Sequence, residues 1–333
     1  MKNVTGLFIR SIVLILYLSM WQKPSFSQTS QVQHLFATPV RSIGDTLFFG
    51  ITDFDFMPDG SLIVADKQDY RIKRVSKTGV LLSQTGKRGK AKGEFTSGPF
   101  LVTVGKSLIA VADFSSPRVQ LFTHSLEAVR EFRVNGFVMA MKFDSKDNLW
   151  IGTHGGLKNI TRLVKYNTHG TIQKEIPISH ASDNMFDNLY FFTIIPGDTL
   201  VVAYAYQNIL DEYSNSYISS WNLAFFPPKP QYERVVSEQG NKLQAPTKEI
   251  VYSICSDKNG FVYLLGGDYA FAPFRDVFVL NRNKKISAIL QLPVESKKIL
   301  VDKEGTLWSL ESNRTLLTQY TVSQRKTKYH EHR

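Results

Sequence analysis

Cysteine is almost missing from this chain. Cys255 is the only one in 333 residues, so no intramolecular disulfide can form in any redox compartment, and stability must come from buried apolar surface. A hydrophobic content of 43% permits that. Beyond the first 27 residues no apolar run is long enough to cross a bilayer, which takes roughly 20 residues as a helix. Helical periodicity is nearly absent too, and short β-rich runs take its place, so the chain is expected to be all-β. No HExxH, nucleophile elbow or cysteine-based metal spacing occurs, so the sequence offers no ready catalytic set.

The N-terminus has the three parts of a secretory signal. Lys2 and Arg10 are basic, Ile12 to Trp21 is apolar, and Ser25-Phe26-Ser27 is a small-x-small cleavage site. The expected organisation is a signal peptide over 1–27, a repeat domain over 28–323 and a basic tail over 324–333. Without a cysteine after the apolar run, no lipoprotein anchor is expected there. The protein is therefore expected to be secreted or periplasmic. The formal net charge is +11, but Lys2, Arg10 and Lys23 leave with the signal. Lys87, Arg88, Lys90 and Lys92 crowd one linker, and Arg325, Lys326, Lys328 and Arg333 crowd the tail. A basic loop and tail on an exported chain are read as solvated rather than as a nucleic-acid surface.

What is present is a repeat. A polar turn followed by a short β-rich run starts at Asp59, Gly105, Asp147, Gly197, Asn259 and Glu304. Each copy follows an apolar run expected to be an inner strand: Ile51 to Met57, Phe100 to Val104, Phe137 to Phe143, Leu189 to Ile195, Ile250 to Ser256, and Lys298 to Val301. Third strands are expected at Arg71 to Ser76, Arg118 to Thr123, Thr161 to Asn167, and Asp276 to Asn281. Radial repetition of such units leaves only short sheet edges. Val32 to Ala37 suits a strand that joins the last unit, Ser296 to Tyr320, and closes the ring.

The residues Ala65-Asp66-Lys67-Gln68-Asp69-Tyr70-Arg71-Ile72, then Thr78-Gly79, Gly86-Lys87-Arg88-Gly89 and Gly93-Glu94-Phe95, resemble the NHL repeat. Ala112-Asp113 to Arg118-Val119 repeats its Asp-x4-Arg core, and later units keep only strand and turn. Taken whole, the chain is similar to exported six-bladed propellers of the Bacteroidetes type. That resemblance implies an all-β, six-bladed β-propeller of four-stranded antiparallel blades, closed by an N-terminal strand.

Asp66 with Arg71, and Asp113 with Arg118, are spaced to brace a loop by carboxylate–guanidinium pairs. Gly86 to Gly93 is Gly-rich but no helix follows, so it reads as a linker with Phe95 as a packing plug rather than a phosphate loop. Asp53 and Asp55 alternate with Phe54 and Phe56, which puts both carboxylates on one face of an inner strand. They are expected either as solvated channel carboxylates or as ligands of Ca²⁺, the cofactor such oxygens suit. The Glu, Asn and Asp set of lactonase-like propellers is not found here. Tyr204 to Phe226 reads as a ring-rich insertion, answered by the loop from Gly266 to Arg275. Tyr204, Tyr206, Tyr269, Phe271 and Arg275 are the expected ligand contacts, with His154 on the rim; the competing reading packs these rings inward. Asn159-Ile160-Thr161 fits a glycosylation acceptor.

The resulting expectation is a recognition or scaffold module for an extracellular or periplasmic protein, peptide or glycan. The alternative is a metal-assisted hydrolase or lyase using Asp53, Asp55 and His154.

Overall fold

In a computed structural model the described residues run from 32 to 324, apart from 45, 115, 156–160, 179, 181–183, 185, 215–217, 227–231, 237–241, 247–248 and 267–273. The first strand is β1 (Gln33–Gly44). Four separate four-stranded antiparallel sheets follow. They are β2 (Ile51–Phe56), β3 (Leu62–Asp66), β4 (Arg71–Val75) and β5 (Leu81–Thr85); then β6 (Pro99–Val104), β7 (Leu108–Asp113), β8 (Arg118–Thr123) and β9 (Ala128–Arg133). Next come β10 (Phe137–Phe143), β11 (Leu149–His154), β12 (Arg162–Tyr166) and β13 (Ile172–Pro177); then β14 (Tyr190–Ile195), β15 (Thr199–Tyr204), β16 (Ile209–Tyr213) and β17 (Ile218–Asn222). A two-stranded ribbon, β18 (Tyr232–Val236) and β19 (Lys242–Pro246), stands apart from them. The remaining strands are β20 (Val251–Ser256), β21 (Val262–Gly266), β22 (Asp276–Leu280), β23 (Ile286–Gln291), β24 (Ser296–Val301), β25 (Leu307–Glu311) and β26 (Leu316–Gln324). Together with β1 they form an eight-stranded sheet in the order β20-β21-β22-β23-β1-β26-β25-β24.

Burial explains why each strand type has its sequence. In every four-stranded sheet the second strand is apolar on both faces: Leu62–Asp66 and Leu149–His154 are buried throughout. The outermost strands β5, β9, β13 and β17 are largely exposed and correspondingly polar. A strand buried on both faces needs a neighbour on each side, and the core supplies them. Ile63 and Ala65 pack with Ile109, Val111 and Phe122 of the following sheet, while Leu62 and Val64 face the other way, toward Ile299, Leu307 and Trp308. The same alternation links Ala110 to Ile151, Trp150 to Val202, and Val201 to Leu264. Each sheet thus packs on the next, and the last packs on the first.

The ends of the chain meet in one sheet. β1 runs antiparallel to β26 from Leu35 opposite Gln324 to Gly44 opposite Leu316, and parallel to β23 from Gln33 to Phe36. The closing strand is therefore longer than the Val32–Ala37 expectation, and it continues past a bulge between Pro39 and Arg41.

The bracing expectation holds for one pair and changes partners in the other. Arg118 meets Asp113 at 3.1 Å, as its spacing suggests. Asp66 instead pairs with Lys73 at 2.8 Å, and Arg71 turns to Asp69 at 3.1 Å. Both aspartates also accept two backbone amides just before the inner strand: Phe49 and Gly50 for Asp66, Thr96 and Ser97 for Asp113. Their recurrence is a device that satisfies linker amides, which no ladder reaches. Phe95 is fully buried and stacks on Phe122, as a plug between sheets should.

The span from Tyr204 to Phe226 is not an insertion, because β16 and β17 are the ordinary third and fourth strands of their sheet. The added element is the β18–β19 ribbon, anchored where the Tyr232 hydroxyl donates to Asp187 at 2.6 Å and the Asn184 amide donates to the Gln244 carbonyl at 3.0 Å.

Candidate functional site

The inner strands β2, β6, β10, β14, β20 and β24 converge on one cavity of about 460 Å³. The second residue of each of them lines it: Thr52, Phe100, Val138, Phe191, Tyr252 and Lys297. An alternating strand sends every second side chain to one face, so equal register puts six such positions at one depth. Phe137, at 62% exposure, marks the open end; exposed Arg314 and half-buried Glu249 also line the cavity.

Apolar surface dominates the walls. Phe100 packs edge-on to Phe114 at 5.1 Å, Phe191 lies 6.4 Å from Tyr252, and Tyr252 lies 4.8 Å from Phe274. The Lys297 ammonium stands 4.8 Å from the Tyr252 ring centroid, a cation–π arrangement. Burial pushes the Glu249 carboxyl up to about 7, with Lys297 pulling weakly the other way.

Deeper in, charged groups cluster at the axis. Asp53 and Asp55 share a face, and Phe54 and Phe56 share the other, toward Trp308, as the alternation predicts. The carboxylates are engaged rather than open. Asp53 accepts the Val102 amide at 2.8 Å and pairs with Lys298. Asp55 accepts the Thr103 hydroxyl at 3.0 Å and the Val104 amide at 3.2 Å, and pairs with Lys142 at 3.3 Å. Burial pushes the Asp53 carboxyl up, against the pull of Lys298 and the Val102 amide. Burial acts the same way on Asp55, but Lys142, Lys298 and two backbone amides outweigh it and hold that carboxyl below its ordinary value. Cys255 lies in the field of the same lysines, and burial pushes its thiol up to about 12, leaving no thiolate near neutral pH.

Two carboxylates already bound to ammonium groups and amides do not fit Ca²⁺, which needs six or more oxygens. Among the described residues no three His, Cys, Asp or Glu side chains converge as a metal site. The pair therefore joins strands, linking β2 to β6, β10 and β24.

The other expected site residues are dispersed. Tyr204 is fully buried, its hydroxyl donating to Asp211 at 2.7 Å, and belongs to the packing between sheets. His154 is buried at the end of β11, opposite Phe137, and is not on a loop. Tyr206 is half-buried and Arg275 exposed, and neither lines the cavity. Tyr269 and Phe271 lie outside the described residues, as do Asn159, the signal segment and the basic tail. Four of the rings that line the cavity, Phe100, Phe137, Phe191 and Tyr252, sit on strands whose positions were expected. Aligning the six inner strands by register would have picked out all but Phe137.

No family model matches the sequence, and no curated protein matches it. Solved structures do match over most of their length. The WD40 β-propeller domain of Doa1 aligns with a TM-score of 0.54 at 12% identity, over 87% of this chain and 98% of that one. The fold is a β-propeller. The propeller is also similar to a Bacteroides fragilis NCTC 9343 protein described as exported, with a TM-score of 0.56 at 11% identity over 90% and 97% of the two chains. A catalytically inactive virginiamycin B lyase from Staphylococcus aureus, solved with quinupristin, gives 0.54 at 10% over 84% and 87%. At these identities the propeller shares a fold with them, and function has to be argued from its own site.

Proposed function

We propose that this protein is an exported six-bladed β-propeller that works by recognition, holding a peptide, glycan or protein segment at the open end of its central cavity. The reading of six blades takes the eight-stranded sheet as two of them, β20–β23 and β24–β26 with β1, beside the four separate four-stranded sheets. Export is supported by the signal-like N-terminus and by the likeness to the Bacteroides fragilis protein. Among the described residues no helix is long and apolar enough to cross a membrane.

The observation that carries the reading is the cavity itself. A concave, ring-lined space with a few polar groups at its rim is how proteins hold small ligands and chain ends. Exposed Phe137 at its lip is the type of side chain that gains most from a partner's cover. The hydrolase or lyase alternative is not favoured, since Asp53 and Asp55 are bound to lysines and His154 is buried in a strand.

Residues 28–333, screened against peptide and glycan arrays beside a Phe137→Ala, Phe191→Ala double variant, provide the test. Binders lost in the folded variant support the reading. Binders that all survive it place recognition elsewhere on the molecule.

A further inference from the structure

Resting on the cavity reading above, the charges at the rim narrow the ligand class. The lining carries Asp53, Asp113 and Glu249 against Lys142, Lys297, Lys298 and Arg314. Asp53 is matched by Lys298, Lys142 by Asp55, and Asp113 by Arg118. Lys297 in turn stands 3.9 Å from Glu295 and acts on the Glu249 carboxyl, which leaves Arg314 as the remaining lining cation at the open end.

Arg314 is the distinctive group. Its backbone is tied on both sides, the carbonyl accepting the Ile51 amide at 2.7 Å and the amide donating to Glu311 at 3.0 Å. Its φ of 61° lies in the left-handed region, which a branchless glycine would enter more easily. A surface loop thus holds an arginine in a turn geometry suited to glycine, at the lip of an apolar cavity. Among the described residues its guanidinium makes no hydrogen bond or ion pair. A guanidinium presents parallel N–H donors that match a carboxylate bidentately.

We propose that the cavity takes an apolar ligand ending in a carboxylate, with the body against Phe100, Phe137, Phe191 and Tyr252 and the carboxylate on Arg314. The C-terminal residues of a hydrophobic peptide and a free apolar acid share this chemistry. Sugars, which need hydrogen bonds along their whole edge, do not match walls this apolar.

Titration calorimetry on residues 28–333 tests the assignment with four probes: N-acetyl-Phe-Leu-Phe as the free acid and as the C-terminal amide, and octanoate beside octylamine. The proposal expects each acid to bind at least about tenfold more tightly than its counterpart, 1.4 kcal/mol in free energy. Arg314→Gln should erase that gap while leaving the melting temperature and the amide affinity unchanged. Tight peptide acid with weak octanoate identifies a chain end as the source, and the reverse identifies a free acid. Equal affinity of acid and amide, or tighter octylamine, overturns the carboxylate assignment; if Phe137→Ala then weakens both, the cavity reading stands without it. Binding indifferent to Phe137→Ala overturns the cavity reading itself.

Discussion

Glu249 shows how burial at the rim becomes a pH dependence. In the unfolded chain its carboxyl releases a proton near 4.5, whereas in the folded protein burial raises that point to about 7. Between those values the folded state holds a proton that the unfolded state has lost. Stability therefore falls as pH rises through this window, and the deficit is complete above it. Glu249→Gln removes the titration. It should leave the melting temperature nearly unchanged at pH 4, below the window, and raise stability at pH 8 by about 2 kcal/mol, after discounting for partial exposure. A variant no more stable than the wild type at pH 8 would mean that the group is solvated. Tyr204 makes the opposite point, since its ring was expected at a ligand and lies in the core. Asp211 keeps the Tyr213 hydroxyl at 3.3 Å and the Ser220 hydroxyl at 2.6 Å when the Tyr204 hydroxyl is removed. Tyr204→Phe should thus cost about 1 to 2 kcal/mol in urea melts and leave ligand affinity untouched.

Strands were the most legible elements, and the reason is visible in their burial. The inner strands expected at Phe137 to Phe143 and Ile250 to Ser256 match β10 and β20 to within a residue, because polar turns punctuate apolar runs at both ends. β1 was legible only in part. It crosses the outer rim, where Ala37 and Ile43 are its only fully buried residues, so no apolar alternation marks its course past Ala37. The ribbon β18–β19 was hidden for a related reason: Tyr232 to Val236 are exposed throughout, so no buried apolar face marks the strand. The weight carried by β1 can be measured directly. Removing Gln33–Gly44 uncovers the edges of both β23 and β26, which present unpaired amides and carbonyls to other chains. The truncated protein should aggregate on refolding, seen by light scattering. A soluble monomer with a single cooperative melt would show that the ring closes without it.

For the molecule as a whole, the cavity was the least legible feature, because it exists only where six segments meet that are far apart in sequence. Phe100, Phe191 and Tyr252 each read locally as another core ring on an apolar strand; only the ring arrangement turns that one face toward solvent. The axis below them follows the same logic. Asp55 on β2 reaches past the neighbouring β6 to Lys142 on β10, so this ion pair ties together blades that do not adjoin. Removing one partner of a fully buried pair leaves an uncompensated charge and costs about 3 to 5 kcal/mol, and a pair that is only part-buried, as this one is, should lose less. Lys142→Met should therefore destabilise by about 2 kcal/mol, with Asp55 left among amides but without its ammonium. Adding Asp55→Asn to it should restore part of the loss, since a neutral amide tolerates that site. In a double-mutant cycle from urea melts the coupling should exceed 1 kcal/mol. The same samples examined in EDTA and in excess Ca²⁺ separate a structural pair from a metal site. Melting temperatures that do not move with Ca²⁺ fit the ion pair. A rise in the wild type that Asp53→Asn or Asp55→Asn abolishes would instead make the axis a cation site and move the metal-assisted alternative ahead of recognition.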